Sequence, residues 1–559
     1  ILIAAVLWSI YGSRPGVNFE NDIPDDQFST ARAFSHVEAL GQEPHYVGSP
    51  AHSKARNYIV SELEKLGLIV QTQEAYSLNK RGVITRPQNI ITRIEGSGDG
   101  KALLLLTHYD SAMHSSYGAS DAASAVGTIL EGVRAWLASG AEPVNDIIIV
   151  FSDAEELGLN GADIFVEEHP WAKDVGLALN FEARGSGGKP FMLLETNEGN
   201  KALLEQFVAA GVEYPVSNSL AYSVYKMLPN DTDLTVLREQ GNINGLNFAF
   251  IDDHFDYHTA NDVPQNLDLN TLAHQGAYLM PLLNYFSRAP LENLDSEEEL
   301  VFFDVPGIKM VVYPYSWIFT MLILAIALFV ILLFYAAYRG DISFVKALKS
   351  FVPMLISLLL SGFLGYGFWK LMLYLYPQYP EMEQGFTYNG YYYIAAVVFL
   401  SLAVCFYTYN RFRKPGNAPY LYVAPLLIWI LLSTLAAFYL KGAAYFIIPV
   451  FFGLLQFFFL LKMPKNGLLI QSLLSLPAIL ILLPFITTFP VALGLKMLFL
   501  SAVLTVLLWL LAWPVFSYYS KLQLLGFLSF VTFIVLILLA HFKSDFSAER
   551  PKPNSLVYL

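Results

Sequence analysis

The sequence predicts an α/β region with a doubly wound, mostly parallel sheet, followed by an all-α region of about eight transmembrane helices. Short apolar segments alternate with helical segments up to residue 182, and apolar stretches of about 20 residues recur after residue 316. The charge divides at the same place, because residues 1–340 carry 20 Lys/Arg and 42 Asp/Glu, whereas residues 341–559 carry 14 and 5. An acidic half joined to a basic apolar half is typical of a membrane protein and not of a nucleic-acid-binding protein.

The predicted α/β domain spans residues 20–310 and begins with two helical segments, 29–40 and 51–67. Further helices are predicted at about 122–138 and after Gly158. Four apolar strands alternate with these helices, at residues 89–94, 102–107, 146–151 and 175–181. Strands this apolar are buried on both faces, and functional groups collect at the carboxyl ends of the strands in such sheets.

Imidazole and carboxylate side chains follow three consecutive predicted strands. A histidine follows the strand at 102–107, two adjacent glutamates follow the strand at 146–151, and a third glutamate follows the strand at 175–181. Such side chains suit zinc, so the pattern predicts a metal site at this edge of the sheet. The candidate residues are His108, Asp110, Asp121, Glu155, Glu156, Glu182 and His258.

The adjacent glutamates in "SDAEELG", Glu155 and Glu156, need a compensating positive charge, because neighbouring carboxylates repel each other and are costly to bury. Two adjacent carboxylates are useful if each has a different role in catalysis. One would bind the metal, and the other would take a proton from water whose pKa the metal has lowered.

The ordered motifs "HYD", "GASDAAS", "EELG", "NFEARG" and "YHTAND" resemble zinc metallopeptidase family twenty-eight over roughly residues 30–285. This family is the di-zinc aminopeptidase and glutamate-carboxypeptidase-like group. With the spans that follow, the chain looks most like the membrane-bound branch: endoplasmic reticulum metallopeptidases, vacuolar membrane proteases and bacterial relatives. The resemblance implies a zinc-exopeptidase-like fold, two Zn²⁺ ions and a peptide substrate.

The resemblance also assigns metal ligands. Asp121 would bridge the two zinc ions. His108 and Glu182 would complete one site, and Glu156 and His258 would complete the other. Many soluble family members have Asp at the position of Glu182, although Glu is usual in the membrane branch.

Two further residues would act without binding metal. Glu155 would be the general base, and Asp110 would orient His108 through a hydrogen bond. Capping of a turn is the alternative role for Asp110.

The function expected is that of a membrane-anchored di-zinc exopeptidase, most simply an aminopeptidase. A single-zinc acyltransferase similar to glutaminyl cyclase is one alternative, and a transporter or scaffold with a lapsed peptidase domain is another. The complete set of ligands and base argues against a lapsed domain. The absence of Asp and Glu between Glu383 and Asp545 argues against proton-coupled transport.

Several histidines compete with the proposed ligands. His254 lies four residues before His258, and the "YHTAND" context favours His258. His114 is close in sequence to His108, but we interpret it as a solvated surface residue. The remaining histidines of this region are interpreted as surface residues or as residues with satisfied hydrogen bonds: His36, His45, His52, His169 and His274.

Two other groups keep open alternatives. Asp231 and Asp233 in "PNDTDLTVL" either cap the following helix or line the substrate cleft. Arg184 either binds a substrate carboxylate or balances the acidic site, and we favour balance.

The predicted transmembrane domain spans residues 312–542. Its apolar stretches centre near residues 326, 364, 400, 430, 452, 476, 502 and 530. Short basic connections such as "NRFRKPGN" alternate with "PQYPEMEQGFTYNG" and "TTFP", which lack Lys and Arg. The positive-inside rule places the basic connections in the cytoplasm, and therefore the α/β domain outside it.

The two ends of the sequence carry their own expectations. Residues 1–12 are predicted to be the end of an N-terminal transmembrane span, with a signal-peptide core as the alternative. Residues 543–559 are expected to emerge on the outer side and to begin a further domain.

The cellular location is predicted from cysteine and glycosylation signals. Cys405 is the single cysteine and lies in an apolar run, so the chain has no disulfide framework. Asn230 is the single glycosylation sequon of the outward domain. These features favour a bacterial plasma membrane, with the α/β domain facing the exterior. An endoplasmic reticulum or vacuolar membrane with a lumenal domain is the alternative. Oligomeric state has no signal in the sequence.

Overall fold

The computed structural model describes residues 1–16, 23–80, 82–228, 231–382, 384–414, 416–463, 467–548 and 550–552. Its contacts divide the chain into two units. The α/β domain consists of residues 13–304 and 308–314, and the helical domain consists of residues 1–12, 305–307 and 315–559. The sequon residue Asn230 and the strand-like end of the tail, residues 555–559, lie outside the described residues.

A seven-stranded mixed sheet forms the centre of the α/β domain, with the strand order β1-β4-β6-β5-β7-β9-β8. Two further pairs of short strands, β2 with β3 and β10 with β11, lie outside this sheet. The strands are β1 Val70–Glu74, β2 Ser77–Leu78, β3 Ile84–Thr85, β4 Gln88–Ile94, β5 Ala102–His108, β6 Ile147–Ser152, β7 Val175–Ala183, β8 Phe191–Glu195, β9 Asn244–Phe250, β10 Leu300–Val305 and β11 Lys309–Pro314.

The four central strands, β6, β5, β7 and β9, are parallel, which agrees with the predicted mostly parallel sheet, although β9 is not among the four predicted strands. The outer strands β1, β4 and β8 pair antiparallel. The antiparallel direction of β4 has a simple cause. Only residues 95–101 connect it to β5, and a parallel return needs a crossover of about a dozen or more residues.

Helices cover both faces of the sheet, which confirms the doubly wound prediction. Alternate residues of β5 point to opposite sides. Leu103 and Leu105 pack in one apolar cluster with α2, α3, α4 and α9, whereas Leu104 and Leu106 pack in the other with α5 and α8. The helices of this domain are α2 Thr30–Leu40, α3 Pro50–Lys65, α4 Ala125–Ala138, α5 Asn160–Glu168, α6 Lys201–Ala209, α7 Ser219–Tyr225, α8 Asp233–Gly241 and α9 Leu269–Phe286; α1, Leu2–Tyr11, belongs to the helical domain.

Side-chain caps explain where the first two predicted helices of this domain begin. Ser29 accepts a hydrogen bond from the backbone N–H of Arg32, and Ser49 accepts one from His52. The predicted helix at 122–138 begins later, at Ala125, because residues 119–124 form a separate wide turn that carries Asp121.

Within its described residues, the helical domain contains eight helices that are long and apolar enough to cross a membrane, which matches the predicted number. They are Trp317–Tyr338, Phe344–Leu375, Gly390–Phe412, Ala418–Tyr439, Lys441–Lys462, Leu476–Leu493, Leu495–Phe516 and Leu522–Phe542. Within them the α-helical segments are α10 Trp317–Tyr338, α11 Phe344–Lys349, α12 Phe351–Leu375, α13 Gly390–Phe412, α14 Ala418–Leu421, α15 Val423–Tyr439, α16 Ile447–Lys462, α18 Leu476–Leu493, α19 Leu498–Phe516 and α20 Leu522–Phe542; the short α17, Leu468–Leu474, precedes α18.

The sixth span differs from the prediction. The sequence predicts that its apolar stretch centres near residue 476, but α17 ends at Leu474 and α18 begins at Leu476. Pro477 lies in the first turn of α18, where a proline favours the start of a new helix. The long apolar run is therefore divided, and the span itself lies toward its C-terminal part.

Candidate metal centre

The carboxyl ends of β6, β5 and β7 lie side by side and carry most of the predicted site. His108 is the last residue of β5, Glu182 is the penultimate residue of β7, and Glu155 and Glu156 lie in the turn after β6. Asp121 approaches from the turn before α4, and His258 lies in the loop after β9. The structure therefore brings together residues from five separate parts of the chain.

Asp121 lies between two histidines. Its Oδ1 atom is 3.0 Å from Nε2 of His108, and its Oδ2 atom is 3.2 Å from Nε2 of His258. Each imidazole also faces a second carboxylate: Nε2 of His108 is 3.7 Å from Oε2 of Glu182, and Nε2 of His258 is 3.1 Å from Oε1 of Glu156. Two groups of three ligands therefore share one carboxylate.

Both groups suit a zinc ion. The ligand atoms within each group lie within 4.8 Å of one another. Atoms that bind the same tetrahedral zinc ion at about 2.0–2.2 Å lie closer to one another than 4.8 Å. The spacing within each group is therefore compatible with one zinc ion. Glu155 and Glu156 also lie within this distance of His108, so Glu155 is next to the two groups.

The two groups differ in exposure. The His108 side chain is 1% exposed, whereas the His258 side chain is 37% exposed and its ring stacks on Tyr257 with the ring centroids 3.7 Å apart. The second group is therefore the one that a substrate can approach from solvent.

The buried carboxylates of the site favour the binding of cations. Burial raises the pKa of Glu155 well above its usual value, with Glu182 and Glu156 adding to the effect and His108 opposing it. Burial and the neighbouring Asp121 raise the pKa of Glu156 to about 7. Burial lowers the pKa of His258, but hydrogen bonds to Asp121 and Glu156 outweigh it and raise that pKa to about 10. Carboxylates crowded together in this way are stabilised by a bound cation.

Asp110 supports both sides of the site. Its backbone carbonyl lies 3.0 Å from Nδ1 of His108, and its Oδ1 lies 3.5 Å from the same nitrogen. Its carboxylate also accepts hydrogen bonds from the backbone N–H groups of Glu155 at 3.1 Å and Glu156 at 3.2 Å. The backbone carbonyl of Asp110 therefore orients the imidazole, and its carboxylate fixes the turn that presents both glutamates. The second contact has no signal in the sequence.

Three other polar residues support the site. Asp262 accepts hydrogen bonds from the N–H groups of Ser120 at 2.7 Å and Asp121 at 3.3 Å, which holds the shared carboxylate in place. Asn180 donates a hydrogen bond of 3.3 Å to Oε1 of Glu182. The last residue of the "YHTAND" motif is Asp262, so the motif itself was the signal for it.

Asp233 is the third polar residue that supports the site. The sequence is compatible with two roles for it, capping of the following helix or lining of the substrate cleft. Helix α8 is capped by a box between Thr232 and Thr235, so Asp233 is not the capping residue. Its buried carboxylate accepts a hydrogen bond from the Ser152 hydroxyl at the end of β6. Burial raises its pKa to about 7, and Glu182 contributes to the rise while the Ser152 bond opposes it. Asp231 is exposed.

The competing residues lie elsewhere. Neither His254 nor His114 belongs to the ligand groups found among the described residues, and the His114 ring packs edge-on against Tyr46. Arg184 is exposed and takes part in no ion pair within the described ranges, so the predicted charge balance through this residue is not observed.

The other histidines have partners, and several are buried. His36 pairs with the Tyr58 hydroxyl, His52 with Asp153 and His274 with the Tyr214 carbonyl. His45 bonds to the Glu43 carbonyl, and His169 stacks on Phe165. His45, His52 and His274 are internal structural residues.

Comparison with known proteins identifies the domain. Residues 89–283, from β4 to α9, match the description "Peptidase family M28". This stretch is a peptidase family M28 domain. It contains all seven candidate residues, and M28 peptidases are zinc-dependent metallopeptidases. The predicted family is confirmed.

Two curated proteins illustrate the similarity of the M28 domain. The chain is 32% identical over 232 residues to endoplasmic reticulum metallopeptidase 1 of Rattus norvegicus. The aligned region covers 40% of this chain and 26% of that protein. It is 28% identical over 298 residues to the vacuolar membrane protease of Candida tropicalis, and this aligned region covers 51% of this chain and 32% of that protein. The match thus spans about a third or less of these relatives, and both belong to the predicted membrane-bound branch.

The chain also matches a solved structure. The zinc-dependent exopeptidase of Parabacteroides distasonis has 22% sequence identity and a TM-score of 0.37, with 47% of this chain and 99% of that chain covered.

Zinc binding to the M28 domain should release protons. At pH 7 the metal-free imidazole of His258, with a pKa of about 10, carries both ring protons, and the pKa of His108 is also raised because its carboxylate partners outweigh burial. Both imidazoles must lose a proton to bind metal, and so must the fraction of Glu156 that is protonated at pH 7, so we expect at least two protons per chain to be released. Zinc affinity should therefore rise as the pH is raised above 7. Calorimetric titration in two buffers of different ionisation enthalpy measures this release, and identical heats would contradict it.

Proposed function

We propose that this chain is a membrane-anchored di-zinc exopeptidase that removes amino-terminal residues from peptides. The observation that carries the proposal is the position of Asp121, whose two oxygens face His108 and His258 separately. Each histidine has its own second carboxylate, Glu182 or Glu156. A single ion would use only one of these two groups, so the paired arrangement supports two ions.

The charge of the site favours an aminopeptidase over a carboxypeptidase. In the described parts of the chain, the ion pairs of Asp121, Glu156 and Glu182 are all with histidine, and none is with Lys or Arg. A substrate carboxylate would be repelled by this acidic surface, and the exposed Arg184, two residues after Glu182, is the nearest basic residue in sequence that could offset the repulsion. A free α-ammonium group is attracted by the same field.

In the proposed mechanism, the two adjacent glutamates have different roles: Glu156 binds metal and Glu155 transfers a proton. Zinc ions bound in the two groups would polarise the scissile carbonyl and lower the pKa of the attacking water. Glu155 takes the proton from that water on a carboxylate oxygen and then delivers it to the departing amine. Its raised pKa suits the second step, because the protonated form is accessible near neutral pH. The hydrogen bond from its N–H to Asp110 keeps its backbone in place.

The test combines metal analysis of the purified full chain with three peptide substrates that differ only at the amino terminus: a free amino terminus, an acetylated amino terminus and an additional amino-terminal glutamine. We expect two zinc ions per chain, hydrolysis of both peptides that have a free amino group, and no hydrolysis of the acetylated peptide. One zinc ion with conversion of the glutaminyl peptide to a pyroglutamyl peptide would instead establish the cyclase-like alternative. Absence of both zinc and turnover in the correctly folded chain would establish a lapsed domain.

We also propose that the M28 domain faces the non-cytoplasmic side. The names of the two relatives refer to the endoplasmic reticulum and to the vacuolar membrane. They therefore support a lumenal M28 domain in one of these membranes over a bacterial plasma membrane. The basic loops that determine the orientation lie between the spans of the helical domain.

Cysteine labelling in sealed vesicles checks the orientation. In a Cys405→Ser background, Lys414→Cys reports on the basic "NRFRKPGN" loop, and Pro380→Cys reports on the loop that lacks Lys and Arg. Both positions are exposed. A membrane-impermeant maleimide added from the side of the M28 domain should label position 380 and not position 414. The reverse pattern would overturn the proposed topology.

A further inference from the structure

The basic loops of the helical domain lie together at one end of its helices. The Arg413 guanidinium donates a hydrogen bond to the Tyr519 carbonyl, and the Tyr518 hydroxyl donates one of 2.9 Å to the Met463 carbonyl. These contacts join the C-terminal ends of α13, α16 and α19 and the start of α20. The N-terminus of α20 adds the positive end of its helix dipole to the same region.

The positive charge of this end has few carboxylates to neutralise it. No Asp or Glu occurs in the sequence from residue 384 to residue 544. In the described segments, Lys521 at the start of α20 takes part in no ion pair, and the one acidic residue of the neighbouring loops, Asp341, is paired with Arg339 at 2.9 Å. This region therefore attracts anions.

A groove of about 510 Å³ lies between α13 and α20 at this end. One part is polar and offers an ammonium group, two carboxamides and a hydroxyl group. The other part is an apolar wall whose side chains are 40–53% exposed. The lining residues are Tyr407, Asn410, Ser520, Lys521, Gln523, Leu524 and Phe527.

The apolar wall continues along the exposed face of α20, where Leu528, Val531 and Leu538 follow Leu524 and Phe527. The two helices approach closely below the groove, because a Cβ atom at Gly526 would lie 3.3 Å from the Tyr407 ring. Hydrogen-bond donors thus stand at the helix ends, and an uninterrupted apolar surface runs from them toward the middle of the span. A phospholipid has the same order of groups, with its phosphate above its acyl chains.

We propose that this groove binds one phospholipid whose headgroup carries a net negative charge. Lys521 and the amides of Asn410 and Gln523 hold the phosphate, and one acyl chain lies against Leu524 and Phe527. A zwitterionic headgroup brings its own cation close to Lys521 and Arg413, which offsets the attraction for the phosphate. Basic pockets between membrane helices recognise anionic lipids by this chemistry. Binding here is independent of the peptidase site.

Native mass spectrometry of the full chain in detergent tests the proposal by titration with phosphatidylglycerol or phosphatidylcholine of the same acyl chains. We expect one phosphatidylglycerol to bind in clear preference to phosphatidylcholine. Lys521→Gln should weaken phosphatidylglycerol binding about fivefold, the effect typical of one basic residue near an anionic lipid. Phe527→Ala should weaken both lipids, because it removes the apolar wall and no charge.

Lys346→Gln is the matched control. It removes the same charge from an exposed position of α11, in another basic loop, and lies outside the groove. Its affinity for phosphatidylglycerol should equal that of the wild type. Equal losses in Lys346→Gln and Lys521→Gln would show only a diffuse surface effect and would overturn the proposal. So would equal binding of the two lipids, or a dimer that Phe527→Ala dissociates, because the groove would then be an interface between two copies.

Discussion

Replacing Glu155 with glutamine is expected to lower peptide hydrolysis by about 10²–10⁴-fold, the usual contribution of a general base. Glutamine keeps the size of the side chain and leaves the backbone hydrogen bond to Asp110 intact. It cannot accept the proton of the attacking water. The two groups of three ligands that share Asp121 do not include this side chain, so zinc content should stay at the wild-type level. Metal analysis and steady-state kinetics on the same preparation measure both quantities.

Glu156→Gln is the matched control, because the same atoms change one residue away. Glu156 lies 3.1 Å from His258 and belongs to the second ligand group. Its replacement should lower zinc occupancy and activity together, and excess zinc should restore part of the activity. Excess zinc should restore none in Glu155→Gln. The proposed division is wrong if Glu155→Gln loses zinc while Glu156→Gln keeps it, or if Glu155→Gln remains fully active.

Asp121→Asn is expected to affect both ions at once. The aspartate serves two histidines with two equivalent oxygens. Asparagine has one carbonyl oxygen, and its amide nitrogen is a donor that cannot bind a cation. We expect zinc content to fall from two ions per chain to below one, and hydrolysis to fall at least as far as in Glu155→Gln.

A comparison with His258→Ala shows whether Asp121 is shared. That variant removes a ligand from one group only, so one zinc ion should remain near His108. A lower zinc content in Asp121→Asn than in His258→Ala supports a bridging carboxylate. Two retained ions in Asp121→Asn would argue against it. Far-ultraviolet circular dichroism of each variant verifies that the fold persists.

The sequence predicts the apolar strands β4, β5, β6 and β7 well, and the polar or interrupted strands poorly. Strands β5 and β6 are apolar at almost every position because helices bury both of their faces. Strand β1, with the sequence VQTQE, lies at an edge and has no such pattern, and β9 begins with Asn244 and Gly245. Side-chain periodicity reports burial, so strands that are exposed or interrupted by small polar residues give no clear signal.

The candidate ligands were found from the sequence because each follows a strand or lies in a compact motif. Residues that act through long-range contacts were not found in the same way. Asp233 is 81 residues from its partner Ser152, and the second role of Asp110 depends on a turn 45 residues away. Nothing in the local sequence distinguishes these aspartates from helix caps.

The sequence by itself determined the types of side chain at the site, the order in which parallel strands deliver them, and the number of apolar spans. These properties follow from hydrophobic periodicity and from residues close together in the chain. Only the tertiary structure decided that Asp121 faces two histidines, that His258 and not His254 reaches it, and that Asp110 also holds the glutamate turn. The physical reason is distance. Ligand groups require atoms a few ångströms apart, and the packing of the sheet, the turn before α4 and the loop after β9 sets those separations.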